Sequence, residues 1–111
     1  MKTSELTGAA LDWAVATANG DYPQWDSEWK VFYAANGDDM NYSTNWAQGG
    51  PIIEREKIAT RYDHDEQEWQ ATFPDMDGWV YGWGTTPLIA AMRCYVASKL
   101  GDNIELPEEL K

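Results

Sequence analysis

Thr85 and Thr86 stand directly before Pro87 and a long apolar run. A threonine followed by proline is a common way for a helix to begin. The first backbone N–H groups of a helix have no acceptor within it. They attract an anion, with a field worth up to about 2 kcal/mol in a partly buried site. The preceding "GWVYGWG" sets Tyr81 and Trp83 beside that helix start. Flat rings next to N–H donors suit a nucleotide-like ligand, with stacking for the base and hydrogen bonds for the phosphate. Arg55, Arg61 and Arg93 are the candidate phosphate partners, because guanidinium grips phosphate in a fork. A second set lies in "YSTNWAQGGPIIERE", residues 42–56. There Tyr42, Asn45 and Trp46 offer a stacking surface and an amide. Gly49 and Gly50 allow close backbone approach, and Arg55 would face a phosphate. The competing reading of both sets is structural: the threonines only cap, and Trp83, Trp46 and Ile53 fill the core.

Catalytic chemistry is poorly provided for. His64, the one histidine, lies in "YDHDEQ". It reads as a solvated turn residue rather than as an acid–base partner of Asp63 or Asp65. One histidine and one cysteine rule out the usual zinc sets. "DMDG" at 75–78 begins like a calcium loop. Such a loop needs glycine at its sixth position and glutamate at its twelfth, and Val80 and Thr86 stand there. The glycines of "GWVYGWG" match neither phosphate-binding glycine motif. Cys94 lies among alanines and reads as a buried thiol. Glu54 and Glu56 read as charges of a surface turn rather than as paired carboxylates. No catalytic residue, metal ligand or cofactor is assigned, and the chain is read as a non-enzyme.

These residues need elements to hold them. A helix is expected from about Gly8 to Asn19, capped by Thr7. Leu6 and Leu11 form a hydrophobic staple, Leu11, Ala14, Val15 and Ala18 line one face, and Gly20 closes the helix. Trp29 to Ala34 reads as a strand with Trp29, Val31 and Tyr33 on one face, followed by a turn at Asn36-Gly37. A second short strand is expected near Met40 to Ser43. Pro51 suits the start of a helix, so Ile52 to Glu56 reads as one helical turn or an extended run, and the turn is preferred. Ile58 to Asp63 and Glu68 to Phe73 form a hairpin around "HDEQ", with Trp69, Ala71 and Phe73 on one face. Trp79, Tyr81 and Trp83 alternate with Val80 and Gly82 as a short aromatic strand. The last helix is expected from Pro87 to about Leu100, capped by Thr86 and closed by Gly101. "DNIELPEELK" reads as a solvated acidic tail. The fold class is therefore α+β, a small antiparallel sheet with two main helices, one near each terminus.

Both helices are short of polar residues, and such helices are buried on more than one side. Either they pack on each other beneath the sheet or one builds a subunit interface. A homo-oligomer is the preferred expectation.

The 111 residues make one domain, 1–111,. No stretch approaches the roughly 20 apolar residues of a membrane span. "MKTSELTG" does not read as a signal peptide, and a lone cysteine fits a cytoplasmic protein. A net charge of -11 argues against tracking a nucleic-acid backbone,. Seven Trp and six Tyr are the unusual feature. Tyr22, Trp25, Tyr42, Trp46, Trp79 and Trp83 fall beside loop-forming residues, and such rings anchor interfaces and flat ligands.

Three stretches, "MKTSELTGAALDWAVA", "YSTNWAQGGPIIERE" and "TPLIAAMRCYVASKLGD", resemble the NinX-like proteins of lambdoid bacteriophages, a family of unassigned function. They cover nearly half the chain, and long runs agree in order. Asn45 stands where the family pattern has an acid, and Thr85 where it has a proline. The resemblance implies a phage accessory protein in the cytoplasm of a bacterial host. It supplies no catalytic residues.

Two functions follow as expectations. The first is a non-enzymatic binder of a small nucleotide-like ligand, held by Tyr42, Asn45, Trp46, Gly49, Gly50, Arg55, Tyr81, Trp83, Thr85, Thr86 and Arg93, which would sequester a host defence signal. The alternative is an acidic protein-interaction module or DNA-mimic decoy acting on a host protein.

Overall fold

The computed structural model describes residues 1–37, 39–76 and 78–111. Asp77, in the "DMDG" run, lies outside the described residues. The fold is α+β and is built around its last long helix.

That helix, Pro87–Leu100, begins at Thr86, whose Oγ1 accepts the Ile89 N–H at 3.1 Å. It ends at Gly101 with φ +88°. Leu88, Ala90, Ala91, Met92, Cys94, Tyr95 and Val96 are buried around most of its circumference. The chain's own elements cover it. A sheet lies on one flank, and the helices Gly8–Ala18 and Trp46–Glu56 lie on others. Numbered in chain order, these helices are α1 (Gly8–Ala18), α2 (Trp46–Glu56) and α3 (Pro87–Leu100). The apolarity that suggested a subunit interface is thus met inside one chain.

The sheet beside α3 has three antiparallel strands. After a two-stranded hairpin of β1 (Gln24–Asp26) and β2 (Val31–Tyr33), these are β3 (Ala59–Asp63), β4 (Glu68–Asp75) and β5 (Gly78–Gly84). Residues alternate between the faces of a strand. Gly82 and Gly84 face α3 so closely that an added Cβ would collide with Ala90 and Cys94, or with Ile89 and Ala90. Their cross-strand partners Ala71 and Trp69 share that face, as does Phe73 opposite Val80. Trp79, Tyr81 and Trp83 turn to the opposite face, as expected, beside Gln70 and Thr72.

The β1–β2 and β3–β4 hairpins turn by the same local chemistry. Asp26 Oδ1 accepts the N–H groups of Glu28 and Trp29, and Lys30 takes a left-handed φ of +54°. Asp63 Oδ1 accepts those of Asp65 and Glu66, and Gln67 sits at φ +57°. An aspartate bonded to the next backbone N–H groups, with a left-handed last residue, closes a four-residue loop.

The first helix ends as expected. Gly20, at φ +75°, donates to Thr17 O, and Asp21 donates to Ala16 O, the paired bonds of a Schellman closure. Its start differs, because the Thr7 hydroxyl makes no capping bond. Leu6 and Leu11 are both fully buried.

Four other expectations need correction. The strand near Met40 to Ser43 does not form. The chain turns there instead, with Thr44 and Asn45 N–H both bonded to Asn41 O. Burial of Tyr42 and a bond from Ser43 N–H to the Asp12 carboxylate fix that turn. Pro51 does not open a helix, because α2 already starts at Trp46, capped by the Asn45 side chain. The acidic tail is not a free solvated end. Ile104 pairs with Met1 in both directions, and Ile104, Leu106 and Leu110 pack on the core. Trp29 also lies in the turn before β2 rather than within it.

Candidate functional site

The residues of the middle segment divide at Asn45. Tyr42 is buried, and its hydroxyl donates to Asp21 Oδ2 at 2.5 Å. It offers no stacking surface. Asn45 uses its Oδ1 to cap α2 through Ala47 N–H at 2.8 Å. Gly49 is buried where an added Cβ would collide with the Tyr42 carbonyl and Leu88. Its missing side chain therefore serves contact between the segment and α3, not approach of a ligand. Gly50 has only the Trp46 ring near its Cα, at 3.7 Å from a Cβ position.

Trp46 remains available, 55% exposed at the first residue of α2. The fold brings it to the start of α3. A depression of about 190 Å³ is lined by Ser43, Thr44, Trp46, Thr86, Leu88 and Ile89. The two helix starts thus share one shallow site with one exposed ring. Sequence spacing did not show this pairing, because Trp46 and Thr86 are far apart in the chain. Thr85 is exposed beside it.

The arginines do not converge on this depression. Arg55, near the other end of α2, bonds Glu56 at 2.9 Å, Asn19 Oδ1 at 2.7 Å and the Tyr95 hydroxyl at 3.2 Å. Its guanidinium also lies 5.9 Å from the centre of the Tyr95 ring, within cation–π range. Glu56, held also by Lys99 at 3.3 Å, titrates below the ordinary carboxylate value, first because of its bond from Arg55. Arg93 donates to Leu6 O at 2.9 Å and Trp83 O at 2.6 Å. It ties the N-terminal segment and β5 to α3. Arg61 donates to Gln70 Oε1 at 3.0 Å across the β3–β4 pair. Each guanidinium is engaged with acceptors of its own chain.

The aromatic strand forms a different surface. Trp79 is 62% exposed and Tyr81 52% exposed, and Trp83 is half-buried. A depression of about 510 Å³ runs beside residues 78–81, with Ala97, Gly101 and Asp102 opposite. Tyr81 and Trp83 therefore lie apart from the Trp46 depression, and only Thr86 of the proposed anion site lines it. Sequence reading also passed over the β1–β2 hairpin as a candidate. Trp29, 75% exposed, lines a depression of about 450 Å³ with Val31, Tyr33 and two acids, Asp26 and Asp39. The one-face alternation of Trp29, Val31 and Tyr33 was the signal for it. Trp25 instead packs on Phe32, its cross-strand partner, with ring centres 5.0 Å apart.

The two residues weighed for chemistry and set aside have structural surroundings. His64 is exposed in the β3–β4 turn, its ring edge-on to Tyr62 at 4.8 Å. Cys94 is fully buried, its thiol pushed up to about 12 by desolvation and directed at Val80 O.

The family model described as Bacteriophage P22, NinX matches residues 2–99. The chain belongs to that family. Among the described residues the match spans α1, α2, the five strands and all of α3 but its last residue. Membership makes the chain a phage accessory protein whose family has no assigned biochemical activity. No curated protein matches it. No helix among the described residues is long and apolar enough to cross a membrane.

Proposed function

We propose that this NinX-family chain is a non-enzymatic accessory protein that acts in the host cytoplasm by binding a host protein with a basic surface. One observation carries the reading. The large exposed rings Trp29, Trp46, Trp79 and Tyr81 lie on open surfaces, while all three arginines are engaged by acceptors of the chain itself. Exposed tryptophan and tyrosine are the usual anchors of protein interfaces. The net charge of -11 steers a basic partner towards them,.

The test is capture of partners from host extract by the purified chain, followed by reconstitution with the purified partner. The expected result is a direct complex whose affinity falls by about tenfold or more between low and high salt. A complex indifferent to salt, or no direct complex, removes the reading.

A second reading, sequestration of a small nucleotide-like ligand, is favoured by the meeting of Trp46 with the starts of α2 and α3. Native mass spectrometry of freshly purified protein tests it. Extra mass released as a nucleotide on denaturation supports that reading. A bare species, unmoved by a nucleotide panel, excludes it.

A further inference from the structure

The outer strand β5 has an open long edge. Among the described residues only β4 pairs with it. An edge strand presents unpaired N–H and C=O groups, and proteins ordinarily blunt such edges with charge, proline, a bulge or short length. β1 and β2 have three residues each, and the opposite edge strand β3 carries Arg61 and Asp63. β5 has seven residues, none charged and none proline, in unbroken register with β4.

A groove made of two adjoining depressions follows this edge. Its wider half is the depression of about 510 Å³ beside residues 78–81. Its narrower half, about 200 Å³, passes Tyr81 to Trp83 with residues 2–4 on the far side. Tyr81, Ala97 and Asp102 line both halves. The far wall is held in place, since Thr3 N–H donates to Asp102 O at 2.8 Å and Thr3 Oγ1 donates to Gly101 O at 2.6 Å.

We propose that this groove takes an extended segment of a partner protein, added as a strand to β5, with a cationic side chain against Asp102 and apolar side chains against Trp79 and Tyr81. The proposal rests on the reading of the chain as a protein-contact module. The hydrogen-bonding complement of an open strand edge is another strand. Residues 78–82 of β5 accommodate a segment about 17 Å long, because the Trp83 carbonyl beyond them is already bonded by Arg93. Asp102 is the one charged residue lining the wider half among the described residues, so the complementary side chain there is a cation. Lys2 lines only the narrower half, and Arg93 is held there by Leu6 O and Trp83 O. A second copy is a poorer occupant, because two chains at -11 each bring together a charge of -22,.

The probe is a dye-labelled decapeptide alternating valine with lysine and threonine, followed by fluorescence anisotropy and by amide hydrogen exchange of the full chain. The expected results are saturable binding and slowed exchange at residues 79–83. Asp102→Lys and Tyr81→Lys should each weaken binding about fivefold or more, and His64→Gln, in the exposed β3–β4 turn, should leave it unchanged. A peptide N-methylated at alternate residues keeps its side chains but loses strand hydrogen bonds, and it should bind about tenfold weaker to the unaltered protein. Any of three results overturns the proposal: no binding at about 1 mM peptide, equal binding of the N-methylated peptide, or protection elsewhere than β5. Concentration-dependent self-association abolished by Tyr81→Lys also overturns it, by making a second copy the occupant. A captured host protein that still binds the Asp102→Lys and Tyr81→Lys variants leaves protein contact standing and removes only the β5 groove.

Discussion

Asp12 shows how much one residue can carry. It lies on α1, is buried, and accepts the Ser43 N–H at 2.8 Å. That bond pins the turn before α2 onto the first helix. Desolvation raises its carboxyl above the ordinary 3.8, against the opposing pull of Ser43. The folded state therefore holds this proton more tightly than the unfolded chain. The contribution of Asp12 to stability declines as pH rises from 3.8 through the raised value, and is recovered as pH falls,. Asp12→Asn keeps an oxygen for Ser43 but does not titrate. Chemical denaturation across pH 3 to 7 should show the gap between wild type and Asp12→Asn drifting against wild type as pH rises. Asp12→Ala should cost about 1–3 kcal/mol, because it strands a buried N–H. Cys94 gives a simpler test. Its burial and raised pKa predict no reaction with a thiol reagent in the native state and full reaction after denaturation,.

Among the elements, the β5–α3 contact decides the sheet's position. Gly82 and Gly84 let the strand lie directly on the helix backbone. Gly82→Ala must push strand and helix apart, because the atoms it meets include backbone of Ala90 and Cys94. Overpacking of this kind costs about 1–3 kcal/mol, measurable as a lower denaturation midpoint. The hairpin loops predict the opposite sign. Gln67→Gly should stabilise by up to about 1–2 kcal/mol, since the residue already sits at φ +57°,, offset in part by glycine's greater freedom in the unfolded chain. The β3–β4 hairpin and α3 were legible because their signals are local: alternation around "DHDEQ", and Thr-Pro before and Gly after an apolar run. The start of α2 was missed because Pro51 read as an opener. The Asn45 cap, five residues before the second glycine, outweighed it.

At the scale of the whole molecule, the charge of -11 repels itself. Added salt should screen that repulsion and raise Tm, read by a thermal melt at low and high ionic strength. The ion pairs of Arg55 and Lys99 with Glu56 act in the other direction, but they are partly exposed and contribute little,. A lower Tm in salt would assign them more than that. The burial of both apolar helices within one chain also changes what their composition means. It reports a small domain whose last helix is surrounded, and it places no demand on a partner.

Sequence alone determined much of the local grammar of this protein: where α3 begins and ends, where the β3–β4 hairpin turns, and which rings alternate along β5. It also determined the family, through long runs of ordered residues. Each of these depends on neighbours in the chain. Tertiary structure decided which polar and aromatic side chains remain available. Tyr42 went to Asp21, Arg93 to Leu6 and Trp83, and Gly49 to Leu88. The two partners in a partly buried hydrogen bond can be 87 residues apart, as Arg93 and Leu6 are. Side-chain availability is set by such distant partners, and local spacing carries no record of them.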